Sequence, residues 1–256
     1  LRIATLAGHN AQALRAAHAA ASALLSFAEH TQGRALAHVR TLSVQRASDL
    51  LDLPPTTHRN LELTQTLRGE DAPTLLSLID TCRTGMGSRA LRQWLTHPMR
   101  EREVATQRHD AIEALQAHGV DGLRSALRGV ADVERITARI ALRQVRPREL
   151  TGLRATLLAL PVLRRDVPTG EAPLLDRLGD ALTPPQILVQ LQRAIAEEPA
   201  ALVRDGGVIA TGYDAALDEL RGIGANCDAF LLELESRERA CVHPGRACHG
   251  DACPLA

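Results

Sequence analysis

Three groups of residues have the types and spacing from which chemistry could be built. Cys241, His243, Cys248, His249 and Cys253 crowd the last sixteen residues and carry the thiolate and imidazole donors of a tetrahedral zinc site. No pair of C-x-x-C knuckles is present, and the adjacent Cys248 and His249 are awkward as simultaneous ligands. An unstructured end is therefore the favoured reading of the tail. The turn Gly85-Met86-Gly87-Ser88 ahead of a helical pattern has the outline of a phosphate cradle. It lacks a preceding strand, a third glycine, a following lysine and an acidic partner in a βαβ setting, so it reads as a helix-start turn with Ser88 as the N-cap. In ADVERITARIALRQVRPREL, the residues Arg135, Arg139, Arg143 and Arg146 make a basic stripe, extended by Arg128, of the kind that follows a phosphate backbone. Asp132 and Glu134 lie close enough to pair with some of these, and long Arg stems also cover apolar surface, which favours solvated or interhelical ion pairs. HExxH, GxSxG and any nucleophile motif with a recognisable base are all missing from the sequence. No catalytic and no cofactor-binding residue is assigned.

The composition narrows the chemistry further. All thirty basic residues among the 256 are Arg, balanced by thirty acids, and there is no Lys. That removes Schiff-base chemistry and the phosphate-binding lysine of a P-loop. Four aromatic residues (Phe27, Trp94, Tyr213, Phe230) are too few for a base-stacking platform. The neutral total hides two opposed regions. Residues 121–155 hold eight Arg against four acids, and residues 213–238 hold seven acids against two Arg. Hydrophobic residues make up 45% of the chain, which suits a folded core. No stretch approaches the roughly 20 apolar residues of a membrane span, and Asn10, Gln12, Arg15 and His18 interrupt any signal-peptide core. The chain reads as cytoplasmic, and its Leu1 in place of Met suggests a fragment or processed product.

Helices must position these groups. Residues 11–30 set Leu14, Ala17, Ala21, Leu24, Leu25 and Ala28 on one stripe, and Thr31-Gln32-Gly33 stops it. Residues 35–53 suggest a short strand or an irregular pass. Pro54-Pro55 breaks the chain, after which Thr56 or Thr57 should cap a helix running to Arg68, before Gly69. Leu75–Ile79 opens another apolar segment. From 101 to 160 the period stays helical through Val104, Ile112, Leu115, Val133, Ile136, Ile140, Leu150, Leu153, Leu157 and Leu160, with Pro147, Pro161, Pro168 and Pro173 as connections. Residues 186–196 form one more helix, and glycines flank the one convincing strand, Val208-Ile209-Ala210. Cys82 and Cys227 fall within helical patterns as small buried hydrophobes. Residues 214–239 repeat apolar positions every seven residues, with Leu217, Leu220, Phe230, Leu231 and Leu234 on a wide stripe suited to packing along a partner helix.

Three stretches taken together, TTHRNLELTQTLRG, TGMGSRALRQWLTHPM and LVRDGGVIATGYDAALDELR, resemble the core and lever region of the MutS family of DNA mismatch-recognition proteins. ADVERITARIALRQVRPREL fits the same region in the same order, and the likeness covers about residues 11–239. The resemblance implies an all-α fold: a multi-helix core domain with a long lever helix and minor short strands. It divides the chain into the end of a preceding connector region (1–10), the helical core (11–212), an outgoing lever helix (213–240) and an aberrant or unstructured tail (241–256). It also implies a parent protein that uses ATP and magnesium, binds mismatched double-stranded DNA as a homodimer and recruits a downstream repair protein, with no membrane partner. The Phe-x-Glu mismatch-probing module and the Walker motifs of the family have no counterpart in this sequence, so the chain itself should be non-enzymatic and need no cofactor. The tail after Arg239 resembles neither the clamp nor a returning lever, as a shifted reading frame or an artificial end would produce. Pro54 stands where the family often has an Asp cap, at a cost of about 1 kcal/mol. The alternative, from a different class, is a helical protein-interaction module pairing through 214–239 without DNA or ATP activity.

Overall fold

Pro147 and Pro173 each sit in the first turn of a helix, where a missing N–H costs nothing, and helices run between the breaks much as the periodicity requires. The computed structural model describes residues 14–32, 39, 44, 46–225 and 227–241. The helices are α1 (Arg15–Gln32), α2 (Pro55–Asn60), α3 (Leu75–Ile79), α4 (Gly85–Thr96), α5 (Arg102–His118), α6 (Asp121–Leu127), α7 (Val133–Ala141), α8 (Pro147–Asp166), α9 (Pro173–Ala181), α10 (Ile187–Ala194), α11 (Ala215–Ala225) and α12 (Cys227–Cys241). The fold is all-α. Among the described residues there is no sheet; the two strand-like contacts are isolated antiparallel bridges, Leu50 with Met99 and Ile195 with Ile209. The strand expected at 208–210 therefore survives as one bridge. Among the described residues no helix is long and apolar enough to cross a membrane. The segment 1–10 lies outside the described residues.

Helix α8 is the shared wall of the core and packs against α6, α7 and α10. Its buried face includes Leu153, Thr156, Leu157 and Leu163, at successive intervals of three, one and six residues. Leu153 and Leu157 join Ile136 of α7 in one cluster, which Val133, Leu160, Leu188 and Leu191 extend. A second cluster joins Ala111 and Ala114 of α5 to Val167, Ala172 and Leu175 around α9. Ile112 and Ile140, expected on the core stripe, are about half exposed because the small Ala111 and Ala114 and the neighbouring Ile136 set the buried register instead. Thr156 is 2% exposed and is fully used: its hydroxyl donates to the Gly152 carbonyl at 2.9 Å and accepts from the Ala131 N–H at 2.8 Å. A Cβ on Gly152 would lie 3.4 Å from the Ala131 Cβ, in ordinary van der Waals contact, so the two segments lie close together here. Pro161 lies inside α8 and not in a connection. Burial of Leu157 and Leu163 on either side outweighs the lost backbone bond there.

Several local expectations are corrected. The helix after Pro54 has no side-chain cap; Pro54 holds the N-cap position, and neither Thr56 nor Thr57 serves. It ends at Asn60, eight residues short of Arg68, because Glu62 adopts φ +47° and closes a Schellman turn, with Leu63 N–H to the His58 carbonyl and Glu62 N–H to the Arg59 carbonyl. The Glu62 carboxylate then accepts from Leu67 N–H at 2.7 Å. Thr84, not Ser88, caps α4 and accepts from Gly87 N–H at 3.0 Å, which places Gly85 to Ser88 inside the first helical turn. Cys82 and Cys227 are exposed: Cys82 lies in the loop before α4, and Cys227 opens α12. The more covered face of α1 is Leu14, His18, Ala21, Leu25 and Ala28, which leaves Leu24 outside.

One charged fork ties α4 to α7. Arg89 donates to both oxygens of Asp132 at 2.8 Å and to Glu134, across more than forty residues of chain. Asp132 also caps α7 by accepting from Arg135 N–H at 3.2 Å. The Arg89 guanidinium holds the Asp132 carboxyl at about 2, below its ordinary 3.8. A depressed folded-state pKa means that the contact stabilises the fold fully above the unfolded value and loses this contribution as pH falls through about 2. Asp132→Asn should therefore lower the urea midpoint most near neutral pH, with the two proteins converging towards about pH 2. Equal midpoints at pH 7 would contradict the role given to this fork.

Candidate functional site: the root of the terminal helices

The seven-residue repeat of 214–239 forms α11 and α12, either side of Asn226, which lies outside the described residues. Asp214 opens this segment. Its carboxylate accepts from the Ala216 and Leu217 N–H groups at 3.0 and 3.1 Å, as an N-cap should. Asp218, one turn on, accepts from Gly212 N–H at 2.6 Å, and Gly212 at φ +83° supplies the turn that makes this reach possible. Arg221 spans from its helix back to the core: it donates to Asp218 at 3.1 Å and to the Ile209 carbonyl at 2.9 Å.

The Ile209 strand turn is itself paired. Ala196 N–H donates to the Val208 carbonyl and Ala210 N–H to the Ala194 carbonyl, both at 2.9 Å, around the Ile195–Ile209 bridge. Behind it stands Arg154 of α8. Its guanidinium donates to the carbonyls of Ile195 at 2.7 Å, Ala196 at 3.2 Å and Glu197 at 3.3 Å. These carbonyls follow the C-terminus of α10, whose negative end also favours a cation. Beside this arrangement an open cleft of about 690 Å³ is lined by residues including Arg148, Thr151, Glu197, Glu198 and Asp205.

The basic stripe is split between elements. Arg135 and Arg139 lie one turn apart on α7, but Arg143 follows the helix in a left-handed conformation at φ +55°, and Arg146 holds the N-cap position of α8. Arg135 pairs with Asp132 at 3.5 Å and Arg139 with Glu149, whose other oxygen accepts from Arg146 N–H at 2.9 Å. Of the tail's candidate ligands, His243, Cys248 and Cys253 lie outside the described residues, and Cys241 ends α12. Among the described residues no group of three or more His, Cys, Asp or Glu is placed to hold a metal. On the terminal helices Leu217 is half-buried, while Leu220 and Leu231 are 65% and 53% exposed and Leu234 is also exposed. Phe230 is in α12, with its side chain outside the described set.

Sequence reasoning did not single out Arg89, Arg154, Asp218 or Arg221. Two of them carried a signal. Arg154 is the only Arg between Arg148 and Arg164, inside an apolar helical run, and Arg221 is the only Arg between Arg204 and Arg237, among acids. An isolated cation in such a setting needs a specific partner.

A family model described as MutS domain III matches residues 56–244, well over half of the chain. The match takes in α3 through α12 and all of α2 but its first residue, and so covers both the core and the root described above.

Removal of the Asp214 cap by Asp214→Ala should cost about 1 kcal/mol locally, seen as about fivefold faster amide exchange at Ala216 and Leu217. Unchanged exchange at both amides would show that the cap does not hold α11.

Proposed function

The chain belongs to the MutS family of DNA mismatch repair proteins, and on that premise we propose that it is the core and first lever segment of a mismatch-recognition protein, coupling an ATPase domain at one end to a DNA clamp at the other. The observation that carries this reading is the root itself: α11 and α12 extend from a point fixed by Asp214, Asp218 and Arg221, while Leu220, Leu231, Leu232 and Leu234 face solvent. A helix held rigidly at one end with an open apolar stripe suits a lever that packs on a further helix of its parent. The matched domain is not a catalytic one. ATP and magnesium belong to the parent, as do mismatched double-stranded DNA, the homodimer partner, the downstream repair protein and cytoplasmic location. The net −5 over 213–238 supports a mechanical role for these helices over a phosphate-binding one. The ion pairs of Arg135 and Arg139 support a structural reading of the basic stripe in the same way.

A second reading, favoured by the exposure of Leu220, Leu231 and Leu232, is a helical module that pairs through 214–239. Light scattering over a range of concentrations separates it, since a monomer throughout counts against pairing.

The direct test is a chimera in which residues 56–239 replace the equivalent segment of a characterised MutS-family protein. The chimera should bind a mismatch and release it as a sliding clamp on ATP addition, and it should lower mutation frequency in a strain lacking the native protein. The isolated chain should neither hydrolyse ATP nor prefer a mismatch. A folded chimera that binds mismatches but shows no ATP response would overturn the coupling role.

A further inference from the structure

We propose that Arg154 and Arg221 are a pair of positioning residues that together set the direction of the lever and couple it to α8, through the backbone bridge held between them. This rests on the reading of α11 and α12 as the lever. Among the described residues the main helix contact of α11 is with α12, and its ties to the core include directional hydrogen bonds. These bonds run in a sequence. Arg154 grips three successive carbonyls, Ile195 to Glu197, from the core side. Those residues pair with Val208 to Ala210 through the two backbone bonds of the bridge. Arg221 takes the Ile209 carbonyl from the lever side and is itself held by Asp218.

Each link is directional. A guanidinium is planar with five donors, so one side chain sets both the position and the angle of the carbonyls it binds, which a lysine ammonium does not. Arg154 is also anchored where α8 is most buried, between Leu153 and Leu157. A tilt of the lever therefore pulls on Ile209, moves the 194–196 segment through the bridge and acts on α8 at Arg154. The reverse path carries a change in α8 out to the lever. The bonds of Arg154 to Ile195 and Ala196 and those of Arg221 are partly buried, which reduces competition from water, while the bond to Glu197 is exposed.

The test uses the full chain with nitroxide-bearing unnatural amino acids at positions 158 and 238, both exposed in the structure, leaving the native cysteines in place. The 158–238 distance distribution is measured by pulsed electron paramagnetic resonance in the wild type, Arg154→Gln and Arg221→Gln. Each Gln variant should broaden the distribution about twofold while the urea midpoint of the core shifts little for Arg221→Gln. Arg154→Lys and Arg221→Lys should remain broad, because charge without the fork does not restore direction. If the Gln variants keep the wild-type distribution, the joint is overturned. If the Lys variants restore it fully, charge and not geometry holds the lever, and the proposal fails in that form. Should Arg154→Gln unfold, Arg221→Gln alone decides, since it lies outside the α8 core. The result is independent of the chimera: a chimera without ATP response alongside broadened distributions would remove the coupling function and leave the joint standing.

Discussion

Helix α8 has to satisfy α6, α7 and α10 at once, and it combines apolar burial, hydrogen bonds and an ion pair. Leucines at 153 and 157 bury against Ile136; burial of each such side chain is worth about 1.5–3 kcal/mol. Thr156 closes the hydrogen-bond account of the Ala131 backbone at the same face. Arg154, between them, takes the carbonyls that follow α10. Glu149 holds the first turn of α8 by accepting from the Arg146 N–H and pairing with Arg139. A change in the position of α8 is therefore felt in the apolar core, at the end of α7 and at the root of the terminal helices together.

The use of arginine alone for positive charge fits this design. Three of the ties between separate segments are forks: Arg89 on Asp132 and Glu134, Arg154 on three carbonyls, Arg221 on a carbonyl and a carboxylate. Each binds two or more acceptors in one plane, which fixes orientation as well as distance. Several lie at half-exposed positions, where a simple ion pair contributes little. Their contribution is geometric, and it lets a helical assembly with two modest apolar clusters hold a defined shape.

Much of the architecture was legible because it is local. Period-3.6 stripes depend on neighbours within a few residues, and helices appear where they were expected, although Pro147 and Pro173, read as connections, stand in the first turns of α8 and α9. What stayed hidden depends on partners far along the chain or on conformations the residue type disfavours. Glu62 takes a left-handed turn that usually falls to glycine or asparagine, so no residue flagged the early end of α2. Pro161 sits inside a helix because packing on both sides outweighs its local cost. Asp132 and Glu134 were close in sequence to four arginines, yet their main partner is Arg89, more than forty residues away. The root of the terminal helices was half legible: the glycines flanking 208–210 marked a break before the 214–239 pattern, while the Asp214 cap and the matching of Arg154 to Arg221 needed the fold.

The central claim is that α8, the 194–196 and 208–210 bridge and the first turns of α11 form one cooperative unit. Native-state hydrogen exchange over a denaturant series tests it most directly. The account predicts that Ala196, Ala210 and Gly212 open with the same denaturant dependence as the buried amides of α8, while the far end of α12 exchanges through small local openings. Opening of the bridge and root amides at low denaturant, independently of α8, would contradict it.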